Sequence, residues 1–313
     1  MAAARRGRYA KALACARRWE LHAGDDGYPP SLLDLPRPPE VLYGVGAAEA
    51  LLADSVSIVG ARLATPYGLA CARMAGRVAA ECGVTVVSGG ARGCDHEAGR
   101  AALDAGGATV VVPGCGADVL YPLSSDALFA DAVERGGCVV SIEPWGTPPV
   151  KFTFVRRNDV IAALSRSLVV CEAGRPSGTF RTATTAAELG RRVYAVPGSI
   201  FSPTSQGANW LIESGAAVVS DEEALETLVS LDYGRLRMSP GARGRAGGGK
   251  LMAALVASPL GIDEVGSLMG TSVPETLALL SEHEAAGLVC QLADGRFAPT
   301  KGALLGQNGS SDK

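Results

Sequence analysis

The sequence predicts an α/β fold: a Rossmann-like parallel sheet, doubly wound by helices, with a small C-terminal winged-helix domain. Three observations predict it. Short β-branched strands alternate with helical patterns between Ser55 and Tyr233. These strands are apolar almost throughout, as expected of a parallel sheet covered on both faces. After a glycine-rich stretch, roughly 50 residues read as three helices and a hairpin, the parts of a winged helix.

The elements follow in order. Residues 1–21 read as an amphipathic helix, and the proline-punctuated stretch 26–46 as an extended connector. Strand 56–60 precedes a helix that begins near Pro66, with Thr65 as its N-cap. Cys71, Met74, Ala75, Val78 and Cys82 then recur at three- and four-residue spacing, one helix face. Strand 85–88, a helix over 95–105, strand 109–112, a helix around 124–134 and strand 138–142 continue the alternation. A short helix near 157–164 leads to strand 167–171, a helix from Ser177 to Leu189 and strand 193–196. A helix near 208–214, a short strand 217–219 and a helix near 221–230 close the unit. The stretch 234–250 carries five basic residues and no acid, and its glycines read as a flexible linker. Beyond it, helices at 251–257, 262–268 and 274–286 precede a hairpin turning at Asp294-Gly295. The expected domains are therefore 1–54, 55–233, the linker 234–250, a winged helix over 251–303 and a disordered tail 304–313.

Two turns carry the functional signal. VVSGGARGCD (86–95) and VVCEAGRPSGTFRTA (169–183) each end an apolar strand in small residues and arginine, then open a helix. A helix start leaves backbone N–H groups without partners, and such groups attract anions, phosphates above all. Between Val150 and Arg192, eight basic residues face three acids, a net +5 inside a chain of −3. Within PVKFTFVRRNDVIAALS (149–165), Lys151, Arg156 and Arg157 interleave with Phe152 and Phe154, cations for a phosphate backbone beside aromatic faces for unpaired bases. If this segment is extended, both phenylalanines face one side.

Other chemistries lack their residues. After the first strand, GARLATP (60–66) holds one glycine where a dinucleotide fingerprint needs three, and no acid stands at the ribose position after Ser88. No Walker A loop is present. The eight cysteines form no C-x-x-C pair and there are three histidines, which argues against zinc and for buried free thiols in a reducing cytoplasm. The N-terminus is arginine-rich without an apolar core, unlike a signal peptide, and no apolar run is long enough to cross a membrane. Asp95, His96 and Glu97 open a helix, where Asp95 is expected to cap free amides. Glu172 ends its strand, placed either for catalysis or to hold Arg156 or Arg157.

The ordered set SIVGAR (57–62), SGGARGCD (88–95), PGCGADVLYP (113–122), RRNDVIAALS (156–165) and YAVPGSIFSPTSQGANWLI (194–212) resembles the DprA/Smf family of bacterial DNA-processing proteins. The resemblance spans about residues 24–230. It implies a non-enzymatic, cofactor-free, homodimeric binder of single-stranded DNA. Such a protein protects incoming strands in natural transformation, displaces single-strand binding protein and loads the RecA recombinase. By resemblance, the DNA-binding positions are Arg62, Ser88, Gly89, Gly90, Arg92, Gly93, Lys151, Phe154, Arg157, Asn158, Ser177, Gly178 and Thr179, to which the basic run adds Arg156. Three positions depart from the family pattern: Asp159 and Pro176 stand where arginine is frequent, and Gly99 where a histidine is usual. The third helix of the small domain carries Glu275, Glu282 and Glu284 without Lys or Arg, a poor surface for a DNA groove and one expected to contact protein or to pack on its own chain. The alternative is a Rossmann-like phosphoribohydrolase acting on nucleoside monophosphates, although Arg181 and Thr182 occupy the region of the glutamate it requires.

Overall fold

A computed structural model describes residues 7–237, 246–300 and 303. The chain divides into two compact units, Met1–Met238 and Ser239–Lys313.

The first unit is built on a nine-stranded sheet ordered β1-β2-β6-β5-β4-β3-β7-β8-β9. Seven strands run parallel: β3 (Ser55–Val59), β4 (Thr85–Ser88), β5 (Thr109–Val111), β6 (Cys138–Ser141), β7 (Ser167–Val170), β8 (Arg192–Ala195) and β9 (Ala217–Val218). On one face lie α5 (Lys151–Leu164), α6 (Gly178–Glu188) and α7 (Gln206–Glu213), whose Ile161, Ala183 and Leu211 join Leu168 and Val170 in one core. The other face carries α2 (Pro66–Glu81), α3 (Cys94–Asp104) and α8 (Glu222–Tyr233), with Ala75, Ala98 and Leu225 packed on Val56 and Ile58. Beside them, α1 (Arg8–Cys15) and α4 (Asp126–Glu134) close a further core around Tyr9 and Phe129. The caps expected at Thr65 and Ser177 form: Thr65 Oγ1 accepts from Gly68 N at 3.2 Å and Ser177 Oγ from Phe180 N at 3.1 Å.

Strand order reverses between β3 and β7, so their carboxyl ends flank the crevice where open α/β sheets place ligands.

Four local expectations are corrected. Residues 1–21 are not one helix, because α1 stops at Cys15 and Arg18–His22 forms β1. That strand pairs antiparallel with β2 (Val41–Gly46), which pairs antiparallel with β6, so the supposed connector extends the sheet. Trp19 decides this: its ring covers Gly44, where any side chain would overlap it, and its Nε1 donates to Gly46 O at 2.9 Å. The helix expected at 157–164 begins six residues earlier, at Lys151. The linker is likewise not free at its start. Arg237 reaches Glu222 at 2.6 Å and Glu226 at 3.0 Å and also pairs with Glu81, while Arg235 pairs with Asp54 at 2.9 Å. At its other end the same stretch is helical from Ala246; residues 238–245 and the tail lie outside the described residues.

The second unit contains α9 (Ala246–Ala257), α10 (Ile262–Met269), α11 (Val273–Ala285) and an antiparallel hairpin, β10 (Val289–Gln291) with β11 (Phe297–Pro299). Leu251, Leu255, Val265, Leu280, Val289 and Phe297 form its core. Among the described residues, no helix is long and apolar enough to cross a membrane.

Candidate nucleic-acid interface

The site grows from the ends of β3, β4 and β7 and the first turns of α5. Chain leaving β3 projects Arg62 and Leu63, the latter 89% exposed, over the crevice. Across it, α5 brings Lys151, Phe154, Arg157 and Asn158. The start of this helix is fixed by Thr153, whose Oγ1 donates to Gly114 O at 2.5 Å. Gly114 also lets Phe154 lie flat, since a Cβ there would press on the ring.

Phe154 separates two clefts. One, of about 570 Å³, is lined by Lys151, Arg157, Asn158, Ser177, Gly178 and Thr179. The other, of about 310 Å³, is lined by Arg92, Tyr121 and Gly89, and shares Arg62, Phe154 and Arg157 with the first. The Arg62 guanidinium stands over the Phe154 ring, 5.0 Å from its centroid, and Tyr121 packs against the same ring at 5.7 Å. Cation–π contact of this kind holds both groups in place while leaving the charge available.

Arg157 is the floor. It is 3% exposed, and its Nη1 lies 3.9 Å from Asp95 Oδ2. Among the described residues its Nε and Nη1 find no hydrogen-bond partner. Burial pushes its pKa down to about 10, so it remains charged at neutral pH. Burial likewise raises Asp95 above the usual carboxylate range, opposed by Arg157 and by backbone N–H groups of Gly60 and Gly89.

The two glycine turns are used differently. In the first, Ser88, Gly89 and Gly90 are buried, and Ser88 Oγ donates to Ile58 O at 2.7 Å. The amide of Gly89 donates to Asp95 at 3.2 Å, so the anion it meets is the protein's own carboxylate. Asp95 therefore ties two strand-end loops together instead of capping its own helix. Glycine is required at 90, where a Cβ would meet Val111 and Phe129, and at 93, where it would collide with the Ala61 carbonyl at φ +84°. Of this turn, Arg92 and Gly89 line a cleft, and Ser88, Gly90 and Gly93 line neither. In the second turn Gly178 has no neighbour closer to a built Cβ than Asn158 Nδ2 at 3.5 Å, and it opens α6 into the larger cleft. Thr179 Oγ1 donates back to Gly60 O at 2.9 Å, locking this helix start to the β3 loop.

Arg156 departs from the group: it points away from both clefts and pairs with Glu143 at 3.3 Å. Phe152 and Phe154 do not share a side, because the segment is helical; Phe152 is 64% exposed. Glu172 holds neither arginine. It is buried and accepts from Thr65 N at 2.8 Å and Thr65 Oγ1 at 2.9 Å, bracing the start of α2. The acid cluster around His96 separates as well, with Glu97 paired to Arg73 at 3.5 Å and the imidazole beside Ser125.

Much of the +5 stretch is neutralised from outside. Arg156, Arg157, Arg166, Arg191 and Arg192 pair with Glu143, Asp95, Asp54, Asp34 and Asp232. Among the described residues Lys151, Arg175 and Arg181 make no ion pair. Arg175, which the site residues inferred from sequence omit, stacks on Trp210 at 4.4 Å and on Phe180 at 5.4 Å. Tyr121 and Leu63 were also missed: Tyr121 lies within the PGCGADVLYP motif but carries no charge that singles it out, and Leu63 falls just beyond SIVGAR.

Comparison with known proteins points to the same fold and names a family. The profile of the family described as DNA recombination-mediator protein A matches residues 20–230. Protein Smf of Escherichia coli is 35% identical over 284 residues, covering 87% of this chain and 75% of that one. A putative DNA processing protein DprA of Mycobacterium tuberculosis is 41% identical over 184 residues, 58% of this chain and 47% of its own length. Among solved structures, DNA processing protein A of Streptococcus pneumoniae superposes with TM-score 0.63 at 34% identity, covering 70% of this chain and 76% of that one. The Helicobacter pylori protein of the same name, solved for its single-stranded DNA binding mode, gives TM-score 0.63 at 27% identity over 71% of this chain and 99% of its own. Sheet and sequence thus place the chain in the DNA recombination-mediator protein A family, the DprA/Smf proteins.

Proposed function

We infer that the protein binds single-stranded DNA in the two clefts around Phe154 and serves as a recombination mediator. The observation that carries this reading is one aromatic ring at the strand-order reversal, ringed by Arg62, Arg92, Lys151 and the buried Arg157, beside the open start of α6. Exposed cations hold phosphates by charge and counterion release, without regard to sequence. A base stacks on Phe154 as Arg62 swings from the ring to a phosphate, and such stacking contributes about 1–3 kcal/mol per base. The α6 amides, free of any internal carboxylate, take a further phosphate. Asp95, which lines the larger cleft, and Glu172, which lines neither, are both buried and committed to backbone amides, which favours holding a strand over cutting one.

Family membership supports the rest: a homodimer that passes the strand to RecA and displaces single-strand binding protein. The second unit's helices and hairpin fit a winged helix whose α11 carries Glu275, Glu282 and Glu284, so it is assigned to protein contact and not to the strand. Fluorescence anisotropy with labelled oligo-dT across a salt series tests the binding. Wild type should bind with a steep salt slope, and Lys151→Glu with Arg92→Glu should lose at least about tenfold in affinity. Binding insensitive to these changes, or equal preference for duplex, would overturn the reading.

A further inference from the structure

The first turns of α5 have a second side. There a cleft of about 720 Å³ opens between α5, the proline-rich segment 35–39 and β2. It holds three arginines, Arg37, Arg156 and Arg181. Arg37 and Arg181 are exposed and make no ion pair among the described residues, while Arg156 is anchored by Glu143, itself 6% exposed. Against them stand Glu40 and Asp159, and Asp159 already accepts from Thr185 Oγ1 at 3.3 Å. Tyr43 supplies an aromatic wall, stiffened edge-on by Trp145 at 5.6 Å.

The ridge between this cleft and the Phe154 clefts is α5 itself. Val155 lines both sides, and the crest carries Lys151 with two apolar side chains turned to solvent, Phe152 at 64% and Val155 at 38% exposure. A helix with its side chains is about 10–12 Å across. At ~3.4 Å per phosphate, even a stacked strand crosses it in about 3–4 nucleotides. Cations beside an aromatic wall are what a sequence-tolerant single-strand track requires.

Resting on the function inferred above, we propose that the strand gripped beside Phe154 crosses the N-terminal turns of α5 over Phe152 and Val155. Its next nucleotides then lie in the Arg37–Arg156–Arg181 cleft, so the helix is held on both sides. Asp159, on the helix edge facing this cleft, keeps the second grip weaker than the first.

Anisotropy with oligo-dT of about six and about twenty nucleotides separates the two grips. The variant is Arg37→Ala with Arg181→Ala, two exposed positions, checked by an unchanged melting temperature. The longer strand should lose roughly tenfold in affinity and its salt slope should fall by about 1.4, as expected for two lost phosphate contacts. The shorter strand should bind as before. No change at either length, or equal weakening at both, overturns the second track while leaving the first. Wild type that binds neither length, or Lys151→Glu without effect on either, removes the parent reading and the track with it.

Discussion

The turn at 88–93 and the turn at 177–179 look alike in sequence, each a strand end running through small residues into a helix. Folding gives them opposite tasks. The first is closed: Asp95 takes the Gly89 amide, and the glycines are there because Val111, Phe129 and the Ala61 carbonyl leave no room for side chains. The second is open: Ser177 caps it, Gly178 has space above it, and the start of α6 faces the larger cleft. A small-residue turn binds an external anion only when no internal carboxylate reaches it first. The closed turn still serves the site, since it sets Asp95 under Arg157 and Arg92 on the rim.

Breaking the closed turn should cost most. Asp95→Asn leaves the buried Arg157 charge without its counter-charge and should destabilise the first unit by about 3–5 kcal/mol, read from urea unfolding. A loss below about 1 kcal/mol would mean that Arg157 is satisfied by another group. Gly93→Ala follows, at about 2–4 kcal/mol from a left-handed backbone and a steric collision together. The matched change in the open turn, Gly178→Ala, should shift stability by no more than about 0.5 kcal/mol. If the two glycine variants melted alike, the distinction between the turns would fail. The smallest effect concerns His96, half-buried beside the closed turn, whose pKa burial lowers. A histidine with a depressed folded value contributes stability that is complete above its ordinary value of about 6.5 and is lost as pH falls below it. The melting temperature should therefore drop below about pH 6.5, and His96→Gln should flatten that drop.

The alternation of apolar strands and helices was legible because each parallel strand is buried on both faces, leaving uninterrupted runs such as Val86-Val87 and Val169-Val170. The caps at Thr65 and Ser177 were legible because capping is local. Long-range partners were not. Trp19 makes β1 a strand only by covering Gly44, 25 residues on. Phe-Thr-Phe-Val (152–155) has the composition of a strand, yet Thr153 and Phe154 meet Gly114 from a helix. Arg156 and Arg157 are indistinguishable by eye, but one residue of helix rotates a side chain by about 100°. One goes to the far cleft and the other becomes the floor of the site. Which arginines of the Val150–Arg192 stretch are spent on internal acids was written outside it, at Glu143 and Asp95 for Arg156 and Arg157 and at Asp54, Asp34 and Asp232 for Arg166, Arg191 and Arg192.

Arg237 has a practical meaning for anyone dividing this molecule. Its guanidinium lies where Glu81 of α2 and Glu222 and Glu226 of α8 converge, and its side chain is only 10% exposed. The last helix of the sheet unit ends at Tyr233, yet the unit's electrostatic boundary lies four residues later. Cutting at the helix end would discard the cation and leave three carboxylates crowded together, with Arg77 alone to offset them. A fragment made to isolate strand binding should therefore end beyond Arg237, or its weakness will report a severed clamp and not a missing domain.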